Sequence, residues 1–299
     1  MTRTRLPVAL AVLSLLWQGQ VNAAWASCAE TVAFTQTLEK GSAKVTTLEG
    51  TALKFRSALA VNTDGAPNAY HIDGRPTGAL NTLCNAGRVV SLNQGTYEGR
   101  ENCERFLADV RAAQRAGWQG NPRIVWHGIV TRDKDRNEPV FQEAGEFKGF
   151  FISSTSLQNR AYKEDDQRRY LDSRLVPSLV LPRGSAFLKQ GAKLGDLAFV
   201  IDPETGLSTF AIVGDLGPKG KLGEASIALA AAIKGVHIDP HTLTGKQARK
   251  LVVPQKVVTL VFPGIAVKPP YDAAQIAAAA APTIGQFGGL DRLKQCAAQ

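Results

Sequence analysis

Residues 194 to 235, LGDLAFVIDPETGLSTFAIVGDLGPKGKLGEASIALAAAIKG, constrain the fold more than any other stretch. The segment begins as a hairpin. Leu197 to Ile201 is a short apolar strand, and Ser208 to Val213 returns as a second, with Phe210 and Ile212 on one face. Between them, Asp202 to Gly206 supplies turn chemistry: Pro203 presets φ, and Gly206 accepts φ > 0. The second strand runs straight into Gly214-Asp215 and then into a loop rich in Gly217, Pro218, Gly220 and Gly223. A helix is expected from about Ala225 to Lys234, burying Ala225, Leu229, Ala232 and Ile233, with Gly235 closing it. Asp215 and Glu224 thus flank a glycine-rich loop between a strand end and a helix start. Each has an ordinary structural use. Aspartate suits turns, and glutamate at a helix N-terminus is stabilised by about 0.3–1 kcal/mol. Their pairing across such a loop is what points to acid–base chemistry.

The remaining elements read mostly as strands. Residues 27 to 45 hold a short helix or strand, and Thr51 to Ala60, Arg123 to Val130, Gly149 to Ser154 and Leu175 to Leu181 read as strands. Leu251 to Val253 and Lys256 to Phe262 add one or two more. Helices are expected over Glu101 to Ala116, over Ala273 to Ala281 with Pro282 as the stop, and over Leu290 to Cys296. Many short strands with few helices argue a mainly β chain with peripheral helices, an α+β fold with a closed or partly closed sheet. His127 sits in an apolar strand and reads as a satisfied core histidine.

The first residues read as an export signal: Arg3 and Arg5, then the short apolar run Leu6 to Trp17, then cleavage motifs around Ala23 and Ala26. That run is too short to cross a bilayer, and no later apolar run reaches the roughly 18 residues a span requires. The expected organisation is a signal peptide over residues 1–26 and one catalytic domain over 27–299, secreted or periplasmic. Cys28, Cys84, Cys103 and Cys296 all lie beyond the leader. An even count in an oxidising compartment implies two disulfides, with three connectivities open. Pairing Cys84 with Cys103 would close a short loop and leave Cys28 to join Cys296.

The formal charge of +9, less the two leader arginines, is dispersed rather than concentrated in a basic run. Nucleic acid is therefore not an expected partner, whereas an anionic wall surface is compatible. No Cys-x-x-Cys zinc spacing, P-loop, dinucleotide fingerprint or Gly-x-Ser-x-Gly elbow occurs, so no metal or cofactor is called for. His237 and His241 are four apart, but Pro240 between them argues against a shared helix face. A second polar concentration lies in VNTDGAPNAYHIDGRPTG, residues 61–78, which holds Asp64, Asn68, Tyr70 and His71 among turn formers. These four are candidate substrate-binding residues, because loops carry function more often than cores do. Tyr70 would offer a stacking face for a sugar, and Asp64 a charge.

Five segments together resemble glycoside hydrolase family 75, the fungal-type chitosanases and their bacterial relatives. They are NTDGAPNAYH (62–71), FFISSTSL (150–157), RRYLDSRLVPSLVLP (168–182), KLGDLAFVIDPETG (193–206) and GDLGPKGKLGEASIALA (214–230). The resemblance implies a double-psi β-barrel-like catalytic domain. It also implies an endo-acting hydrolase that cleaves β-1,4 links of a chitosan-type amino-sugar polysaccharide with inversion. Asp215 and Glu224 would be the catalytic pair, with Thr155 and Asp172 among the substrate-binding residues. Fungal members carry an acidic, cysteine-containing form of the early motif, where this chain has Asn62-Thr63-Asp64-Gly65. A lytic transglycosylase or other peptidoglycan-active glycosidase, and a non-catalytic wall-binding protein, are the alternatives.

Overall fold

The computed structural model describes residues 28–93, 95–133 and 138–299. The expected leader lies outside the described residues. In chain order the strands are β1 (Glu30–Thr37), β2 (Ser42–Leu48), β3 (Ala52–Asn62), β4 (Gly87–Ser91), β5 (Gly95–Glu98), β6 (Arg123–Trp126), β7 (Ser178–Pro182), β8 (Asp196–Ile201), β9 (Ser208–Gly217), β10 (Glu224–Ser226) and β11 (Val253–Ala266). The helices are α1 (Cys103–Arg115), α2 (Ala186–Lys189), α3 (Ile227–Lys234), α4 (Gly245–Arg249), α5 (Ala273–Gln286) and α6 (Leu290–Ala298).

The main sheet runs β1-β2-β3-β10-β7-β9-β8-β11, and β11 pairs back onto β3. Six strands from β3 to β11 therefore close a barrel, and β1-β2 extends from it as a flap. The expected β-rich fold with a closed sheet and peripheral helices is what forms. Most pairs are antiparallel, but β10 runs parallel to β3, and β7 parallel to β9. A smaller sheet, β5-β4-β6, lies beside α1.

Strand alternation sorts the residues. Leu53, Phe55, Leu59, Leu179, Leu181, Val200, Val213, Ala225 and Val261 turn inward and form one buried cluster. Their neighbours Phe199, Ile212, Val258 and Leu260 turn outward and are covered by Ile276 and Ala280 of α5 and Leu293 and Ala297 of α6. The third cluster joins α1 and the small sheet to Ile227, Ala230 and Ala231 of α3. Helices α5 and α6 thus cap one sector of the barrel's outer face.

Both disulfides form, Cys84–Cys103 and Cys28–Cys296. The second is reinforced where Lys54 Nζ donates to the Cys296 carbonyl at 3.3 Å and Arg56 Nη2 to that of Ala298 at 3.1 Å. Among the described residues, no helix is long and apolar enough to cross a membrane.

Several local expectations change. Glu224 does not open a helix: residues 224–226 form β10, and the helix begins at Ile227 with Ser226 as its cap. Pairing with strands on both sides outweighs the helical propensity of Glu-Ala-Ser. Pro282 lies inside α5 rather than ending it, and the helix continues because Thr283 and Phe287 beyond it are buried. The segment 149–154 contributes only isolated bridges at Phe151 and Ser153. His127 is not a core residue; its half-exposed ring meets Glu98 Oε2 at 3.0 Å.

Candidate functional site

On β7, Val180 stands opposite Glu224 of β10 on one side and opposite Asp215 of β9 on the other. Directly opposed residues point to the same face of a sheet. The inward neighbours of all three, Leu179, Ala225 and Val213, fix that face as the outside of the barrel. The sequence arranges this through a bulge. Leu179 pairs with Val213 but Val180 pairs with Asp215, so Gly214 is an extra residue on β9. Such a bulge re-aims the following side chain. Gly214 suits the position because a β-carbon would come within 2.8 Å of both Leu171 and Ser178.

The bulge also anchors the aspartate. The Leu157 amide donates to the Gly214 carbonyl at 3.0 Å, which lays residues 155–157 across the strand. Ser156 then donates to Asp215 Oδ1 twice, from its amide at 2.9 Å and from its hydroxyl, and the Leu216 amide adds a third bond at 2.8 Å. Oδ1 is fully engaged as an acceptor, and Oδ2 makes none of these bonds.

Glu224 reaches across Val180 toward β9. Its Oε2 lies 3.1 Å from where a β-carbon on Gly217 would stand, so the absence of that atom makes room for the carboxylate. Lys221 Nζ is 3.8 Å from Oε1. Burial raises the Glu224 pKa, Lys221 opposes the rise, and the Asp215 charge adds to it. The loop before it turns at Gly223, whose φ is +93° and whose β-carbon would fall 2.1 Å from the Ala58 carbonyl. Only glycine permits that approach.

Asp64 is the third carboxylate. It follows the end of β3, where the Asn62 side chain accepts from its amide at 2.7 Å. Burial pushes its pKa up to about 7; the Tyr70 hydroxyl, donating to Oδ1 at 2.6 Å, opposes this, and the charges of Asp215 and Glu224 push the same way as burial. Asn81 in turn donates to the Tyr70 hydroxyl at 3.3 Å and to Thr63 Oγ1 at 3.1 Å.

Of the residues singled out in the sequence, Asp64, Asp215 and Glu224 come together, and Tyr70 joins them in a different role. Its ring is 1 % exposed, so it offers no stacking face and instead holds Asp64 from behind. Asn68 is buried; its side-chain amide donates to the Gly78 carbonyl at 3.4 Å, and its Oδ1 has no hydrogen-bond partner. His71 packs on Phe150 with ring centroids 4.9 Å apart and lines a separate cleft with Asp73 and Arg111. Thr155 is buried with its hydroxyl used twice, donating to the Leu157 carbonyl and accepting from the Leu171 amide, so it positions the segment instead of meeting a ligand. Asp172 is clamped by the Arg174 guanidinium at 2.7 and 3.0 Å. It borders a cleft of about 440 Å³ that also contains Tyr162 and Tyr271. Ser156, Lys221 and Asn81 are the contributors that sequence reasoning missed. Ser156 acts through a backbone path set by the bulge, and nothing in local sequence marks it. The described residues hold one trio with metal-ligating atoms in mutual reach, Cys28, Glu49 and Cys296, and both of its sulfurs are in a disulfide.

The arrangement brings two outward carboxyl groups to one face of the sheet, with burial raising the pKa of Glu224, and a third alongside. Comparison of the chain with protein-family models and with curated proteins finds no match.

Proposed function

We propose that this chain is an exported glycoside hydrolase that cleaves β-1,4 links of an amino-sugar glycan with inversion, Glu224 serving as acid and Asp215 as base. The observation that carries the reading is the common level and common face of the two carboxylates across Val180. Strand spacing puts their α-carbons about 9–10 Å apart. Glu224 then leans toward Gly217, one same-face step of about 6.6 Å along β9 from Asp215. These are backbone spacings; an inverting pair sets the carboxyls themselves roughly 6.5–9.5 Å apart, against about 5–5.5 Å for a retaining pair.

In the reaction, Glu224 gives its proton to the glycosidic oxygen as that bond breaks. Asp215, held through Oδ1, takes a proton through Oδ2 from a water that attacks the anomeric carbon from the opposite face. Burial raises the Glu224 pKa, which supports its role as the acid, and the helix terminus that would favour its ionised form is absent because residues 224–226 are a strand. The leader, together with two disulfides, supports export.

The test is an activity screen on chitosan, chitin oligomers and peptidoglycan, with the anomer of the first-formed product read by NMR. An inverted anomer is expected; a retained one would overturn the mechanism. Activity lost in Asp215→Asn but kept in Glu224→Gln would move the reaction to a lytic, single-acid type.

A further inference from the structure

A groove starts beside Glu224 and runs along β3. Strand β2 pairs with β3 only at residues 52–54, and β10 only from Ala60 onward. Between them the edge of β3 has no partner strand, and a cleft of about 630 Å³ opens there. Ala60, the register partner of Glu224, is one of its lining residues, so groove and carboxylates share one surface. Four residues further along β3, about 13 Å away, lies Arg56.

The walls have a distinct chemistry. Four exposed cations line the groove: Lys40, Lys44, Arg56 and Lys256. Its single acidic residue, Glu30, is already bonded to the buried Lys54 at 2.8 Å. Among the described residues, none of Lys40, Lys44 and Lys256 is in an ion pair, although the Lys44 charge is close enough to Glu30 to help lower its pKa. Leu38, Leu222, Ala58 and Ala60 supply apolar surface between the charges. Ser57 Oγ, also lining the groove, is buried without a hydrogen-bond partner. An apolar floor suits the faces of sugar rings, while unpaired cations at the rim suit anions carried on those rings and repel a polycation.

We infer that this groove holds the carboxylate substituents of an acidic amino-sugar glycan whose scissile bond lies at Asp215 and Glu224. The inference rests on the glycosidase reading above and narrows it: the natural substrate is an anionic polymer rather than a cationic one. Carboxylate is favoured over phosphate because one polymer must present both the charge and a glycosidic bond. The anion is then a substituent on the sugar, and not part of a phosphodiester backbone.

The experiment measures binding, in an Asp215→Asn background, of peptide-free peptidoglycan strands, neutral chitin oligomers of equal length, chitosan oligomers and a wall teichoic acid. The carboxylated strands should bind about 10-fold tighter than the neutral ones, with an advantage that shrinks as salt rises. A Lys40→Ala/Lys44→Ala/Lys256→Ala variant should lose that advantage and keep its affinity for neutral oligomers. Equal binding of neutral and acidic strands, an unchanged triple variant, or tighter binding of chitosan or teichoic acid would overturn the inference. Hydrolysis by the protein with native Asp215 is scored separately. If no glycan is cleaved yet acidic strands bind through these lysines, the groove stands and the catalytic reading fails.

Discussion

Asp215 and Glu224 face the same side of the barrel two strands apart, each directly opposite Val180. Nine positions of sequence separate them, but the sheet, not the intervening loop, sets their distance. A pair fixed by backbone register keeps its geometry when side chains are altered, so single substitutions at the site read chemistry rather than collapse.

Asp215→Asn and Glu224→Gln should each lower kcat by about 10²–10⁴-fold. The double variant should lose little more than the worse single, because both groups serve one transition state. Unchanged thermal unfolding would accompany the loss. Steady-state kinetics on the best substrate from the glycan screen check this, and full activity in either variant would remove that residue from the mechanism.

Asp64 gives the fold a pH dependence. With its pKa raised from 3.8 to about 7, the folded chain binds more protons than the unfolded one between those values. Stability is therefore fully present below about 4 and is lost as pH rises through 7, by on the order of 4 kcal/mol from this group. Asp64→Asn should keep the Tyr70 contact and flatten the decline. Urea unfolding midpoints of both proteins at pH 5 and pH 8 test it: the wild type should drop more than the variant between the two, and parallel drops would contradict the assignment.

Gly223→Ala should destabilise the protein by more than about 3 kcal/mol and abolish activity. A methyl group there meets the Ala58 carbonyl at 2.1 Å, on a backbone whose φ of +93° already excludes alanine. The strand carrying Glu224 would leave β3. Gly128→Ala is a gentler control, since nothing lies within 4 Å of the β-carbon it would add and its φ is not positive. Denaturant midpoints should separate the two variants clearly.

The disulfides should differ in worth. Cys84–Cys103 spans 19 residues and Cys28–Cys296 spans 268, so the second restrains the unfolded chain more. Replacing either pair by serine should cost about 2–5 kcal/mol, the long-range pair toward the upper end. Thermal unfolding of the two double variants ranks them. Thiol titration of the denatured wild type should find no free sulfhydryl.

Apolar runs bounded by an explicit turn exposed β8 to within one residue and the start of β9, but β9 continues through Gly214 and Asp215 to Gly217, four residues beyond the expected end at Val213. Ala52–Asn62 was legible as an apolar strand, and Cys103–Arg115 through the helical spacing of Phe106, Val110 and Ala113. Three-residue β10 was not, since so short a strand carries no period of its own and exists only through β3 and β7. Asp64 was found as part of a polar loop, but the loop's density misled about its neighbours. Tyr70 and Thr155 spend their polar atoms inside the protein, and Asn68 is buried beside them, a distinction between support and contact that depends on burial. The basic groove was invisible because Lys40, Lys44, Arg56 and Lys256 gather from three strands and one turn.

The Cys28–Cys296 bond turns nearly the whole described chain into a covalent ring. A protease that cuts one exposed loop between those residues opens the ring without releasing a fragment. The severed ends stay tethered through the disulfide, and the carbonyls that Lys54 and Arg56 hold keep the closing helix seated on β3. A single nick in such a loop is then an injury the molecule survives. Its mark would be a nicked species that keeps full mass on a non-reducing gel and separates into two pieces only when reductant is added.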